Sequence, residues 1–487
     1  MEISPWLSLI LLFFSALVAL VTAWSLKGTE KRYKGLNLPP GSMGWPLLGE
    51  TIAFRKGHPC TRLGEYMEKR INKYGKIFKS NLHGAPTVVS ADAELNRFIL
   101  HNDGRLFEPS WPTSLVNILG KKSMIIASGD THHYLKSLAI NFMSVPRLCS
   151  HFLGDAEQSI LQTFSTWVEH TPFPLKEEAI KMSFNLIVKH ILSKKPGEPE
   201  TEQLRKLFMC FMRGAVAMPI NLPGTAYRKA LKSRAAILTI IYRLMAERIH
   251  QKKDGWDEIG EDSDLLGFIL EQSNLDAEQF ADLLLGLLFG GHETSSTAMT
   301  LAIYFLGDSR RALEELREEH IQIVKLKKER GETGALTWQD YKKMEFTRCI
   351  VSETLRLGNL IRFVHRKARS NVQFQGYDIP RDWNIIPVFA AAHLDPSLHD
   401  EPRKFNPWRW QTLSASTTRD DSYMAFSHGI RRCPGQELAK MEITIFLHHF
   451  VLNFDWESAE LDHPLASPFP EFPKGLPIKV HKLSLDM

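Results

Sequence analysis

Apolar residues run almost without interruption from Trp6 to Trp24, and the stretch carries no charge. That is close to the ~20 residues a membrane-spanning helix needs. Lys27, Lys31, Arg32 and Lys34 follow it, and positive charge behind the apolar run points to an uncleaved anchor with everything after it in the cytosol. The next stretch, Leu38-Pro39-Pro40-Gly41-Ser42-Met43-Gly44-Trp45-Pro46, is too rich in proline and glycine for helix or inner strand. The pattern therefore divides the chain into an anchor over 1–26, a basic and proline-rich hinge over 27–46, and a globular domain over 47–487.

Within that domain the spacing of apolar positions predicts a helix near Leu63 to Lys73 and two short strands, Ile77–Asn81 and Thr87–Val89. Leu115 to Leu119 reads as a loop by composition. Gly129 to Lys136 opens a helix with His132 and Lys136 one turn apart on one face. Several helical periods follow from Asp155 to Arg248, broken at Lys195-Pro196-Gly197 and between Pro219 and Pro223, and a charged connector runs from Lys252 to Asp264. Asp276 with Gln279 three residues on forms a capping signal. Beyond it, Phe280, Leu283, Leu284, Leu287 and Leu288 spread past a single face, so this helix is buried all round. Gly290-Gly291-His292-Glu293-Thr294-Ser295 is a polar island in it, and the glycine pair predicts a local break. Glu353 and Arg356 stand at i and i+3 on another helix, and Glu437 to Phe450 is strongly helical.

Composition narrows the class only a little. A net charge of +5 over 487 residues is too weak and too evenly spread to argue for nucleic acid, and suits a negative membrane surface or an acidic redox partner better. Cys60, Cys149, Cys210, Cys349 and Cys433 are odd in number and contain no Cys-x-x-Cys pair. A disulfide scaffold or a zinc site is thereby excluded, and a reducing compartment implied.

The chemistry concentrates in Phe426-Ser427-His428-Gly429-Ile430-Arg431-Arg432-Cys433-Pro434-Gly435. One thiolate suffices to hold a haem iron, and its electron density favours O–O cleavage. Gly429 and Gly435 let backbone come close to a flat macrocycle. Arg431 offers forked donors to a propionate. The helix beginning just past the sulfur is expected to stabilise a thiolate and lower its pKa. In the polar island, Glu293 beside the Thr294 hydroxyl could steer protons; a threonine bonded back to the preceding turn is the structural alternative. His292-Glu293 is also half of a zinc-peptidase motif, but position 296 is Ser, and that reading fails.

Phe426, Gly429, Arg431, Cys433 and Gly435 fill every fixed place of the haem-ligand signature of the cytochromes P-450, which this chain resembles. The block Gly290 to Ser295 resembles the oxygen-activating motif of that superfamily. Glu353-x-x-Arg356 and the later Phe405-Asn406-Pro407-Trp408-Arg409-Trp410 resemble its structural Glu-Arg-Arg network. The resemblance implies a mainly α haem-thiolate fold with a small β-rich lobe, behind an N-terminal transmembrane helix. It implies haem b (iron protoporphyrin) ligated by Cys433, with Phe426, Gly435, Arg431, His132, Lys136 and Arg366 around it, and Glu293 and Thr294 as the catalytic pair. Glu353, Arg356 and Arg409 would form a buried structural network, and Leu360 to Val364 the strand that lines the pocket. Leu115, Ile118, Leu287, Gly290, Ile361, Val364 and Phe469 would wall the substrate pocket.

More narrowly, Pro39 to Pro46, Val89-Ser90-Ala91-Asp92, Leu355 to Asn359 and Gly376-Tyr377-Asp378-Ile379-Pro380 resemble plant steroid hydroxylases, nearest the brassinosteroid carbon-22 group and relatives acting on cholesterol. The implied activity is hydroxylation of a sterol side chain at carbon 22 of a cholesterol or campesterol-type substrate, with further oxidation open, in brassinosteroid or steroidal saponin and alkaloid biosynthesis. Dioxygen and NADPH-derived electrons would be co-substrates, NADPH-cytochrome P-450 reductase the partner, and the endoplasmic reticulum membrane the location, with lipid contact and no nucleic acid. Three departures from the relatives stand out: Ser427-His428 replaces Gly-Gly, Ile430 replaces a common Pro, and Lys136 replaces Arg. A haem-thiolate isomerase or dehydratase and a non-catalytic sterol-binding membrane protein are the alternatives. Glu293-Thr294 argues against the first, and a carbon monoxide difference spectrum separates the second.

Overall fold

The computed structural model describes residues 33–45, 49–215, 217–253, 264–332, 334–412 and 422–483. The anchor expected over 1–26 lies outside the described residues, and no helix among the described residues is long and apolar enough to cross a membrane.

Helices make up most of the domain, and one of them organises the rest. The capping signal works as its residues suggest: the Asp276 carboxylate accepts from the Gln279 N–H, the Gln279 side chain answers the Asp276 N–H, and a central helix of 31 residues runs from Ala277 to Gly307. Its Phe280, Leu283, Leu284 and Leu288 are buried on different faces, as an all-round apolar pattern requires. It packs against a companion helix, Leu175–Leu192. A Cβ on Gly291 would sit 2.8 Å from Ile187, so that glycine sets how closely the two helices approach. The expected break does not occur, because the central helix continues through the glycine pair and its loss of propensity, about 1 kcal/mol per glycine, is outweighed by tertiary packing.

The β-rich lobe holds a five-stranded sheet of β1 Ile77–Leu82, β2 Ala85–Ser90, β3 Phe107–Pro109, β4 Arg366–Ala368 and β5 Asn384–Pro387, in the order β1-β2-β5-β4-β3. β2 and β5 are parallel and the other pairs antiparallel. His83 and Gly84, both at positive φ, close the β1–β2 hairpin with the turn that matches strand twist. The helix near Leu63 is found over Glu65–Tyr74. Two local expectations change. Thr113–Leu119 is a helix and not a loop, with Leu115, Ile118 and Leu119 buried. Leu360 to Val364 is not a strand; it crosses the lobe as irregular chain with one bridge, Phe363 to Val388.

Candidate functional site

Cys433 stands between a 3₁₀ turn, Gly429–Arg431, and the cysteine-loop helix, Gln436–Asn453. The Cys433 N–H donates to the Phe426 carbonyl at 2.9 Å, which closes the loop on itself. Gly429 is required by the polypeptide: its φ is +67°, and a Cβ there would lie 2.2 Å from the Leu100 carbonyl oxygen. Gly435 is different. Its φ is −91° and a Cβ would meet only Met143 Sδ at 3.8 Å, so the protein alone does not demand glycine there, and the space is open to a bound group.

The sulfur has exposed surface, yet burial is the largest influence on the thiol and pushes its pKa up. The two observations agree if the exposed surface faces a hollow inside the protein rather than bulk solvent. The lowered thiol pKa expected from the helix terminus is therefore corrected: the Gly435 N–H, Lys136 and Arg432 do favour the thiolate, but desolvation exceeds them.

Around the loop, two arginines converge on one carboxylate, and a lysine binds a loop carbonyl beside them. Arg431 Nε donates to Asp103 Oδ1 at 2.9 Å, and Arg366 Nε pairs with Asp103 Oδ2 at 2.5 Å. Arg431 also reaches the carbonyls of Ala127 at 2.6 Å and Ile125 at 3.4 Å. Lys136, on the helix Gly129–Phe142, gives its Nζ to the Ile430 carbonyl at 2.6 Å. Burial lowers the Arg366 pKa to about 10 and lowers that of Lys136. His132, one turn before Lys136, is buried with its Nδ1 unpartnered, and burial with the Arg431 and Lys136 charges pushes its pKa down to about 4. An excess of buried positive charge, an orphaned ring nitrogen and an unfilled space at Gly435 suit a flat anionic cofactor carried on a thiolate. Phe426 lies in the loop with Lys440 Nζ 5.5 Å from its ring centre.

Behind the loop, the Glu-x-x-Arg helix Glu345–Gly358 turns an i, i+3 pair into a fully buried one. Arg356 Nε and Nη2 each meet a Glu353 oxygen at 2.8 Å, and both side chains are 0% exposed. Glu353 further accepts from Arg409 Nε at 3.1 Å, Trp410 Nε1 at 2.9 Å and the Asn406 N–H at 2.9 Å. The remaining Arg356 donors go to the carbonyls of His393 and Pro402. Desolvation alone would raise Glu353; Arg356 and Arg409 outweigh it and hold its carboxyl low. Removing one partner would strand a buried charge, worth about 3–5 kcal/mol.

On the central helix, Thr294 Oγ1 donates to the Gly290 carbonyl at 2.7 Å, the back-bonded form. Glu293 is engaged by a residue the sequence did not mark. Lys176 Nζ lies 2.9 Å from Glu293 Oε1, 3.1 Å from Ser296 Oγ and 2.5 Å from Thr297 Oγ1. Burial would raise the Glu293 carboxyl, but Lys176 and His292 bring it below its ordinary value. Gly290 is exposed in mid-helix with nothing within 4 Å of its Cβ position, so this stretch also borders a hollow.

A cavity of about 2120 Å³ opens beside these elements, lined by Trp111, Leu115, Ile125, Phe289, Ile361 and Phe469 among others. Of the residues assigned to a substrate pocket from the sequence, Leu115, Ile361 and Phe469 line this cavity. Ile118 is instead sealed in the core, and Val364 packs with Leu100, Phe389 and Met424. Neither Leu287 nor Gly290 belongs to the cavity wall. Ile125 on the cavity wall is hydrogen-bonded to the cysteine loop, its carbonyl accepting from both Arg431 and Trp111 Nε1. The residues that sequence reasoning missed are Asp103, Lys176 and Ile125. Each is an ordinary turn, surface or apolar residue until its distant partner is known.

Residues 39–484 match the family model described as Cytochrome P450. The chain is 65% identical over 484 residues to a cholesterol 16,22-dihydroxylase of Paris polyphylla, covering 99% of this chain and 100% of the relative. It is 52% identical to a cholesterol 22-hydroxylase of the same plant, covering 98% and 99%, and 51% identical to a steroid (22S)-hydroxylase of Oryza sativa subsp. indica, covering 95% and 92%. Among solved structures, a retinoic acid-bound cyanobacterial relative superposes with a TM-score of 0.81 at 26% identity, covering 92% of this chain and 100% of that one.

Proposed function

Because this chain belongs to the cytochrome P450 family, we propose that it is a membrane-bound monooxygenase hydroxylating the side chain of a plant sterol, cholesterol or a campesterol-type molecule, at carbon 22. The observation that carries this reading is the large apolar cavity, whose wall residue Ile125 is hydrogen-bonded to Arg431 of the cysteine loop. At about 2120 Å³ it exceeds the ~300–1,000 Å³ of ordinary ligand pockets and accommodates a rigid four-ring hydrocarbon. The names of the plant relatives supply the substrate class and the carbon, and the 16,22-dihydroxylase makes a second oxidation at carbon 16 part of the same proposal.

Haem, when bound, supplies dioxygen activation at an iron held by a thiolate. The chain's residues then have separable tasks. Cys433 would be the ligand. Arg431, Arg366 and Lys136, with His132 beside them, would supply positive charge to the acidic groups of the ring, Lys136 as a point charge rather than as a fork. Phe426 and Gly435 shape the loop. Lys176 holds Glu293 ionised at its Oε1, and Glu293 with the neighbouring Thr294 hydroxyl would steer protons. Glu353, Arg356 and Arg409 keep the loop's supporting elements in place and take no part in chemistry.

The mouth of the cavity supports entry from a bilayer. Trp45, Ile52 and Met218 line it and are 76%, 74% and 63% exposed, an apolar rim of the kind that marks a contact surface. An endoplasmic reticulum location, the N-terminal anchor and NADPH-cytochrome P-450 reductase as electron donor complete the proposal.

The test is reconstitution of the holoenzyme with that reductase and cholesterol or campesterol, with products identified by mass spectrometry. A 22-hydroxylated product, dependent on NADPH and lost with the thiolate spectrum in Cys433→Ser but retained in Cys149→Ser, is the expected result. Turnover of fatty acids with none of sterols would overturn the substrate, and NADPH-independent rearrangement of peroxides would overturn the reaction class.

A further inference from the structure

Cholesterol carries one oxygen on an otherwise hydrocarbon frame, at the end opposite its side chain. If the side chain faces the cysteine loop, as the proposed function requires, that hydroxyl lies deep in an apolar cavity. An unmet hydroxyl there carries a desolvation penalty. The polar groups along the cavity wall differ sharply in whether they are already satisfied. Glu50 accepts from Tyr66, Ser80 and Arg70. Arg362 gives its guanidinium to the carbonyls of Cys60 and Arg62. The Trp111 N–H is taken by Ile125. These groups are closed networks with little to offer a ligand.

One cluster is open. His365 lines the cavity and is 8% exposed, and neither of its ring nitrogens has a hydrogen-bond partner among the described residues. The rings of Phe363, His83 and Trp111 surround it at 5.5, 5.7 and 5.8 Å. Beside it, Ser110 donates its N–H to the His365 carbonyl at 3.3 Å and its Oγ to Asn384 Oδ1 at 2.9 Å. That leaves the Asn384 amide nitrogen as a donor without a partner among the described residues, and Ser110 and Asn384 also line the cavity. Strand register places Asn384 of β5 opposite Lys367, two residues from His365 and on the same face. Arg366 points the other way, to Asp103, so consecutive residues serve the cofactor cradle and the cavity.

We infer that His365, with Ser110 and Asn384, is the specificity-determining cluster that receives the ring hydroxyl of the sterol and thereby sets which end of the molecule faces the cysteine. A neutral imidazole offers one donor and one acceptor, as a hydroxyl does. Burial keeps His365 neutral by pushing its pKa down to about 3. Trp111, beside the His365 ring, donates to the Ile125 carbonyl, which also accepts from Arg431. This inference rests on the sterol reading above.

The test is spectral titration of the full-chain holoenzyme with cholesterol and with cholest-5-ene, which has the same rings and tail but lacks the hydroxyl, reading the Soret shift on binding. The wild type is expected to bind cholesterol about 3- to 30-fold more tightly. His365→Leu should bring the two steroids to near parity by weakening cholesterol alone, with an intact reduced carbon monoxide spectrum reporting a folded haem site. Asn384→Leu provides the same readout if His365→Leu does not load haem. Equal binding by the wild type, or discrimination that survives in both variants, overturns the assignment. So does discrimination lost in Ser114→Ala, the other buried hydroxyl on the cavity wall, but kept in His365→Leu. A spectrum that neither steroid moves overturns the sterol reading itself, and is distinct from all of these.

Discussion

Two residues apart in the cysteine loop, Ser427 and Gly429 both sit in the left-handed region, at φ of 62° and 67°. For Gly429 the conformation is free and the Leu100 carbonyl forbids anything larger. For Ser427 it costs about 1–2 kcal/mol, partly offset because glycine would lose about 0.5–1 kcal/mol more backbone entropy on folding. Ser427→Gly is therefore expected to stabilise the loop by about 0.5–1 kcal/mol, raising the temperature at which the reduced carbon monoxide spectrum decays by about 1–3 °C. A decrease in that temperature would show that the serine hydroxyl contributes more than its backbone costs. At the same scale, the single charge of Lys136 lands on the Ile430 carbonyl, a contact that needs no fork.

At the scale of elements, the cysteine-loop helix, the central helix and the companion helix meet at Glu442. Its carboxyl is 3% exposed and lies against Ser295 of the central helix and Ser183 of the companion helix. Burial pushes its pKa from 4.5 up to about 7, and the two hydroxyls soften the shift, although Ser183 Oγ meets no hydrogen bond by distance and angle. A carboxyl whose folded pKa is raised contributes stability that is fully present below the unfolded value and is lost as pH rises through the folded one. From about pH 4.5 to about pH 7 the wild type should lose on the order of 3 kcal/mol relative to Glu442→Gln, at ~1.4 kcal/mol per pH unit. Denaturant melts of both proteins across that window check this, and parallel curves would mean that the carboxyl is already ionised in the folded helix trio.

For the whole molecule, the arrangement that matters is an apolar cavity with an exposed apolar rim, bonded through Ile125 to the cationic cradle of the cysteine loop. Ile52 and Met218 lie 166 positions apart in the chain and share the rim. Replacing both with Asp should raise KM for vesicle-borne cholesterol about three- to tenfold while leaving kcat and the thiolate spectrum unchanged, since each buried aliphatic side chain contributes at most ~1.5–3 kcal/mol and the rim is only partly immersed. An unchanged KM would show that sterol enters elsewhere.

What the sequence determined by itself has its cause within a few residues. The Asp276 cap, the β1–β2 hairpin, the Glu353–Arg356 pair and the turn that presents Cys433 all follow from local spacing and residue type. Only the tertiary structure decided which charge meets which. Asp103 joins Arg431 across 328 positions and Lys176 joins the Glu293 segment across 117, and no pattern along the chain signals either pairing. The direction of the Cys433 shift was decided there too: a helix terminus is a local feature, whereas desolvation sums every atom packed around the sulfur. The same reason separates Ile361, which reaches the cavity, from Val364, which does not. Alternation along a strand would have assigned their faces, but that segment is irregular, and its side chains go where the packed elements around them leave room.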